Sequence, residues 1–168
     1  MTTPPLRVKD VLTVGRFLIP YRIYENKGPQ FICVNGVQQS MAMWQSLVAR
    51  FSNNYRIVLF DFPNQGKAKI LTGASDVSLD EQIEILAAVI DKTSINQDAT
   101  VCAASWGGVI AIAFAEQYPD RVKRLILASL GTKPNKKMIE TIKEGSSLNM
   151  KNRDQMAHIL IKLSLIHI

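Results

Sequence analysis

Ala103-Ala-Ser105-Trp-Gly107 has the form small-x-Ser-x-Gly, the spacing of a nucleophile elbow, where a strand turns into a helix at the serine itself. Turning within one residue strains the serine backbone, so side chains two positions away must be small. Ala103, Gly107 and Gly108 meet that demand, with alanine at the first position where the common form of the motif has glycine. The serine then stands at the amino end of a helix, where unpaired N–H groups and the helix dipole favour developing negative charge. The chemistry that fits is acyl transfer with Ser105 as nucleophile. Its oxyanion hole needs two donors, and the sequence offers the Trp106 amide directly after the serine and the Val37 amide in the loop after an earlier strand. Asn35-Gly36 gives that loop the freedom to turn Val37 inward, and is equally a common turn pair in its own right.

The flanking elements must hold these groups in place. Residues 6–13 and 17–24 read as two strands forming an opening hairpin around Gly15. Phe31-Ile-Cys-Val34, Ile57-Val-Leu-Phe60 and Thr100-Val-Cys-Ala-Ala104 are short, continuous apolar runs, as strands buried on both faces require. Val122 to Ala128, with Leu125, Ile126 and Leu127, reads as a fourth buried strand. Between them, Trp44, Leu47, Val48 and Phe51 give residues 41–51 an amphipathic helical pattern. Ser78-Leu-Asp-Glu81 is a capping box opening a helix striped by Leu79, Ile83, Leu86 and Ile90. Val109–Ala115 is apolar throughout, the pattern of a buried helix. Strand–helix alternation of this kind predicts an α/β fold, a three-layer sandwich around a mostly parallel sheet. Two further helices are expected at about 135–144 and 154–163.

Composition narrows the function classes. With 168 residues, 47% of them hydrophobic, the chain suits one domain with a substantial core. Its net charge of +6 is uneven: of 20 basic and 14 acidic groups, 7 and 3 fall after residue 130. A basic tail suits an acyl carrier protein, a nucleic acid or an anionic membrane, and equally a solvated helix face. No basic cluster is interleaved with aromatics, which argues against nucleic acid. The longest apolar run, Val109 to Ala115, is far short of the ~18 residues a membrane span needs. Met1-Thr-Thr-Pro-Pro lacks the pattern of a secretory signal, so a cytoplasmic location is expected. Cys33 and Cys102 lie in expected buried strands without metal-ligand spacing and read as small core hydrophobes. Neither a cofactor nor a metal is expected.

Val34-Asn-Gly36, Val58-Leu-Phe-Asp61 with Pro63 and Gly66, Glu84-Ile-Leu86 and Ala104-Ser-Trp-Gly-Gly108 together resemble one family. These residues are similar to those of the 3-(3-hydroxyalkanoyloxy)alkanoate synthases of rhamnolipid biosynthesis, within the α/β-hydrolase superfamily, over about residues 30 to 130. The resemblance implies an enzyme that joins two 3-hydroxyacyl chains, taken from acyl carrier protein or coenzyme A thioesters, with Ser105 as acyl acceptor. It also implies that residues 1–132 are the N-terminal part of the hydrolase core and 133–168 the start of a helical cap or lid. Departures from the pattern concern the base and the acid. The only histidines, His158 and His167, do not follow a strand as the catalytic histidine does, and Ser129-Leu-Gly-Thr132 holds no carboxylate. The sheet is therefore expected to lack its last strands and the chain to be a truncated product. The strand at 122–128 would then be an uncovered edge prone to self-association. Two other readings stay open: an esterase with water as acceptor, and a non-catalytic acyl-binding module.

Overall fold

The computed structural model describes residues 7–94 and 99–131, with a few positions between 133 and 143. The chain divides into two compact units, Met1–Leu130 and Gly131–Ile168, and every element named below belongs to the first. Strands β1 (Arg7–Val14) and β2 (Phe17–Tyr24) form the opening hairpin, followed by β3 (Gln30–Val34) and β4 (Arg56–Phe60). A two-residue strand, β5 (Lys69–Ile70), precedes β6 (Ala99–Ala104) and β7 (Val122–Ala128). The helices are α1 (Gln45–Phe51), α2 (Leu79–Thr93) and α3 (Trp106–Gln117).

The sheet runs β1-β2-β4-β3-β6-β7, with β5 paired to β2 away from that path. It is mixed: β4, β3, β6 and β7 are mutually parallel, whereas β1, β2 and β5 join by antiparallel pairs. Alternate residues of the central strands face opposite layers, because side chains along a strand point to opposite faces. Ile32, Val34, Val58, Phe60, Val101 and Ala103 pack with the α2 residues Ile83, Leu86 and Ile90 and the α3 residues Ile110 and Phe114. Cys33, Ile57, Leu59 and Cys102 face the other way, toward Val48 of α1 and Met41. Continuous apolar runs in β3, β4 and β6 follow from this double burial.

Several local expectations are met in detail. Ser78 caps α2 reciprocally with Glu81, each accepting from the other's backbone N–H at 3.2 and 2.9 Å. Others are corrected. Residues Met41–Trp44 form a 3₁₀ turn before α1, and Trp44 serves a polar role described below. The helix around Val109–Ala115 is not buried all round, since Ile112 is exposed. Strand β7, expected to be buried, has exposed Ile126 and Leu127, and among the described strands it pairs only with β6. The expected helix at 154–163, together with His158 and His167, lies outside the described residues.

Candidate active site

One residue separates β6 from α3, and that residue is Ser105. Its backbone sits at φ 50, ψ −123, a conformation that costs a residue with a side chain about 1–3 kcal/mol. The turn is held from both sides. The Ser105 N–H donates to the Ala128 carbonyl at 2.9 Å, and the Ser105 carbonyl accepts from the Gly108 N–H at 2.8 Å. Close packing explains the glycine that follows. A Cβ on Gly107 would stand 2.5 Å from the Asn35 carbonyl oxygen and 2.6 Å from that of Val34. The amino end of α3 thus rests directly against the carboxyl end of β3, an approach that only glycine permits.

Register brings the second loop alongside. β3 and β6 pair in parallel with Val34 opposite Ala103, so the chain leaving β3 runs beside the chain leaving β6. Trp106 is the first residue of α3, and the first amides of a helix have no intrahelical acceptor. The Val37 amide enters none of the loop hydrogen bonds between described residues. Val37 and Trp106, 61% and 41% exposed, line one cavity of about 390 Å³, whose walls also include Phe62, Asn64, Ser75 and Gln82. Ser105 is half-buried beside this cavity and is not itself among its lining residues. The Trp106 indole N–H donates to Gln82 Oε1 at 3.0 Å, which ties the cavity's rim to α2.

Beneath the Val37 loop lies a buried polar network. Asn35, only 1% exposed, donates through Nδ2 to the Phe60 carbonyl at 2.9 Å and to Gln65 Oε1 at 3.2 Å. Its Oδ1 accepts from the Trp44 indole N–H at 2.7 Å. Gln65 donates through Nε2 to the Gly36 carbonyl at 2.9 Å, and Gln39 Oε1 accepts from the Gly36 N–H at 2.9 Å. Asp61, also buried, accepts from the Met41 N–H at 2.6 Å. The loops after β3 and β4 are thereby joined, and no buried side-chain polar atom among the described residues lacks a partner. In the sequence Asn35 reads as half of a turn pair and as part of the Val34-Asn-Gly36 motif, with no buried polar role, and Gln39, Gln65 and Gln82 carry no signal of their own. The available signal was the density of polar residues in Asp61-Phe-Pro-Asn-Gln-Gly66, at the carboxyl end of a parallel strand.

The outer wall of the cavity, formed by Ser75, Asp76 and Val77, is held by an arginine from the β1–β2 turn. Arg16 donates to the backbone carbonyls of Thr72, Ala74 and Asp76 and to both oxygens of Glu81. The guanidinium holds the Glu81 carboxyl below its ordinary range, and the Ser78 N–H contributes in the same direction. Cys33 and Cys102 face each other across β3 and β6, both buried and unbridged. A hydrogen bond with Cys102, together with burial, pushes the Cys33 thiol well above its ordinary range, so it stays a protonated core residue. Among the described residues no group of three or more histidine, cysteine or acidic side chains could hold a metal ion, and no helix is long and apolar enough to cross a membrane.

A family model described as the alpha/beta hydrolase fold matches residues 29–157. The 3-oxoadipate enol-lactonase 2 of Acinetobacter baylyi is 27% identical over 131 residues, covering 77% of this chain and 48% of the lactonase. The (R)-3-hydroxydecanoyl-ACP:CoA transacylase of Pseudomonas aeruginosa is 27% identical over 134 residues, covering 78% of this chain and 44% of the transacylase. The crystal structure of MGS-M2, an alpha/beta hydrolase enzyme from a Medee basin deep-sea metagenome library, superimposes with a TM-score of 0.77 at 23% identity. That match covers 90% of this chain and 56% of MGS-M2. The chain spans less than half the length of the curated relatives it matches. By fold, strand order and the match over most of its length, the chain belongs to the alpha/beta hydrolase fold family.

Proposed function

We propose that this chain carries the nucleophile half of a serine acyl-transfer site acting on acyl thioesters. Ser105 is the nucleophile, and the amides of Trp106 and Val37 form the oxyanion hole. The observation that carries this reading is the strained turn at Ser105, with φ 50 and ψ −123 between β6 and α3. Backbone strain of this kind persists only where surrounding contacts over-determine it, and it clusters at functional sites. The amino end of α3 then offers its unpaired amides to negative charge developing on the substrate oxygen.

The substrate proposed is a 3-hydroxyacyl group carried as an acyl carrier protein or coenzyme A thioester, joined to a second hydroxyacyl chain as in rhamnolipid precursor synthesis. Similarity to the (R)-3-hydroxydecanoyl-ACP:CoA transacylase supports this choice of acyl donor. In the acylation step the Ser105 oxygen attacks the thioester carbonyl, the new O–C bond forms, and the C–S bond breaks to release the thiol. The proton leaving Ser105 requires a base, and none of the described residues is a histidine. A second reading, with water as acceptor, is favoured by the similarity to 3-oxoadipate enol-lactonase 2. Self-association through the β7 edge is proposed with it, on the exposure of Ile126 and Leu127; a monomer in size-exclusion chromatography would count against it.

A serine-directed fluorophosphonate tests the site. Wild-type protein should be labelled at Ser105, as read by mass spectrometry of the modified peptide, and Ser105→Ala should not. Equal labelling of the two proteins, or labelling elsewhere only, would remove Ser105 from the reading. Incubation with a 3-hydroxyacyl thioester then separates the acceptors, since a dimeric lipid product requires a hydroxyacyl acceptor and a free acid requires water.

A further inference from the structure

Four arginines of the described unit are buried or half-buried, and three of them have carboxylate partners. Arg16 pairs with Glu81, Arg56 with Glu25 and Arg121 with Asp91. The fourth, Arg22, is half-buried on β2 and forms no ion pair or side-chain hydrogen bond among the described residues. A partly desolvated cation is costly without a counter-charge. Its surroundings add positive charge. Arg22 lines a second cavity, of about 260 Å³, together with Lys9, Lys67, Met41 and the two acidic residues Asp10 and Asp61.

The sheet register decides which charges face this cavity. Lys9 lies opposite Arg22 and Val11 opposite Pro20 across the β1–β2 pair, so these four side chains share one face of the sheet. Asp10 and Tyr21, also opposite each other, occupy the alternate positions and project to the other face. There the Tyr21 hydroxyl donates to Asp10 Oδ2 at 3.0 Å, so the Asp10 carboxylate is engaged by Tyr21 and makes no ion pair with Arg22. Asp61 is the other acidic group lining the cavity, and it already accepts from the backbone N–H groups of Met41 and Lys67. Lys9, Arg22 and Lys67 outnumber the acidic lining residues Asp10 and Asp61, which leaves an excess of positive charge in a concave site.

We propose that this cavity binds a phosphoryl group, as a phosphate ester or a diphosphate, with Arg22 as its principal ligand and Lys9 and Lys67 beside it. Arginine suits the role because its planar fork matches phosphate oxygens, while lysine adds a mobile point charge. The site is separate from the Val37–Trp106 cavity, and no part of the inference depends on Ser105 being a nucleophile.

Isothermal titration of the 168-residue chain with inorganic pyrophosphate tests it, with coenzyme A and pantetheine as further arms. Pyrophosphate and coenzyme A should bind, more weakly as salt rises, and pantetheine, which has no phosphate, should not. Coenzyme A binding more tightly than pyrophosphate identifies a nucleotide-borne phosphate as the source, and equal binding identifies the free anion. Arg22→Gln and, independently, Lys67→Ala should each weaken pyrophosphate binding about tenfold or more, the loss expected for a charge-assisted contact. Lys67 is exposed on a loop, so its variant keeps the test decisive should Arg22→Gln fold poorly. Arg50→Ala, on exposed α1, should bind as wild type. Pyrophosphate affinity unchanged in both Arg22→Gln and Lys67→Ala, or lost equally in Arg50→Ala, would overturn the assignment.

Discussion

Replacing Ser105 by glycine should leave a more stable protein than replacing it by alanine. Both variants lose the hydroxyl, so their difference isolates the backbone. At φ 50 and ψ −123, an alanine keeps the strain of about 1–3 kcal/mol associated with such conformations. Glycine relieves it, at a cost of about 0.5–1 kcal/mol because the unfolded chain gains freedom. At mid-range values the balance favours Ser105→Gly over Ser105→Ala by about 1 kcal/mol, and at most by about 2.5 kcal/mol. The turn does not relax instead, because the Ser105 N–H is bound to Ala128 and its carbonyl to Gly108, and because Gly107 is wedged against Val34 and Asn35. Urea unfolding followed by far-ultraviolet circular dichroism reads the difference as a shift in midpoint at constant slope. A glycine variant no more stable than the alanine variant would refute the view that this turn stores strain. It would also remove the main physical support for Ser105 as a nucleophile.

Two further perturbations probe the frame around the site. Asn35→Ala should destabilise the protein by about 2–4 kcal/mol, since it strands the Trp44 indole N–H and part of the Phe60 carbonyl in the interior; a loss under about 0.5 kcal/mol in urea unfolding would show that water fills the gap without penalty. Glu81→Gln keeps a side chain able to complete the capping box and removes only the charge. The Arg16 guanidinium lowers the Glu81 carboxyl in the folded state, so its contribution is present above the unfolded carboxylate range and is lost as pH falls through the lower, folded value. The stability gap between wild type and Glu81→Gln should accordingly be constant near neutrality and close on acidification. Unfolding midpoints at a series of pH values check this, and a gap that widened in acid would reverse the sign.

The parts legible in the sequence were those whose causes are local. The sharp strand-to-helix turn at Ser105 could be read because the small neighbours that permit it lie within a few residues, and the Ser78–Glu81 box because both partners share one helical turn. The strands β3, β4 and β6 were legible because burial on both faces writes a continuous apolar run. What could not be read depends on distant partners. Asn35 meets Phe60 and Gln65 only after the sheet has formed, and Trp44 fitted an apolar stripe although its indole N–H is committed to Asn35. β5 is two residues long and pairs with β2, too short to leave a periodic trace. Strand β7 carries the apolar run Leu125-Ile-Leu-Ala128, yet only Val122 and Leu125 pack against the core while Ile126 and Leu127 are exposed, because burial is a property of what packs against a strand and not of the strand alone.

The same distinction explains why the candidate site lies where it does. The chain leaves β3 for β4 on one side and returns to β6 on the other. α1 covers one face while α2 and α3 cover the opposite one. Loops that diverge in this way leave a crevice at the carboxyl ends of the strands, the position where open α/β sheets hold their ligands. Val37 and Trp106 share a cavity because their strands are neighbours at that reversal. Glycine at 107 then sets how closely the two strand ends approach, since any larger residue would drive α3 away from β3. A bulkier residue at 107 would therefore separate the two amides while leaving both loops intact, which makes their spacing, more than the identity of either side chain, the quantity this part of the fold controls.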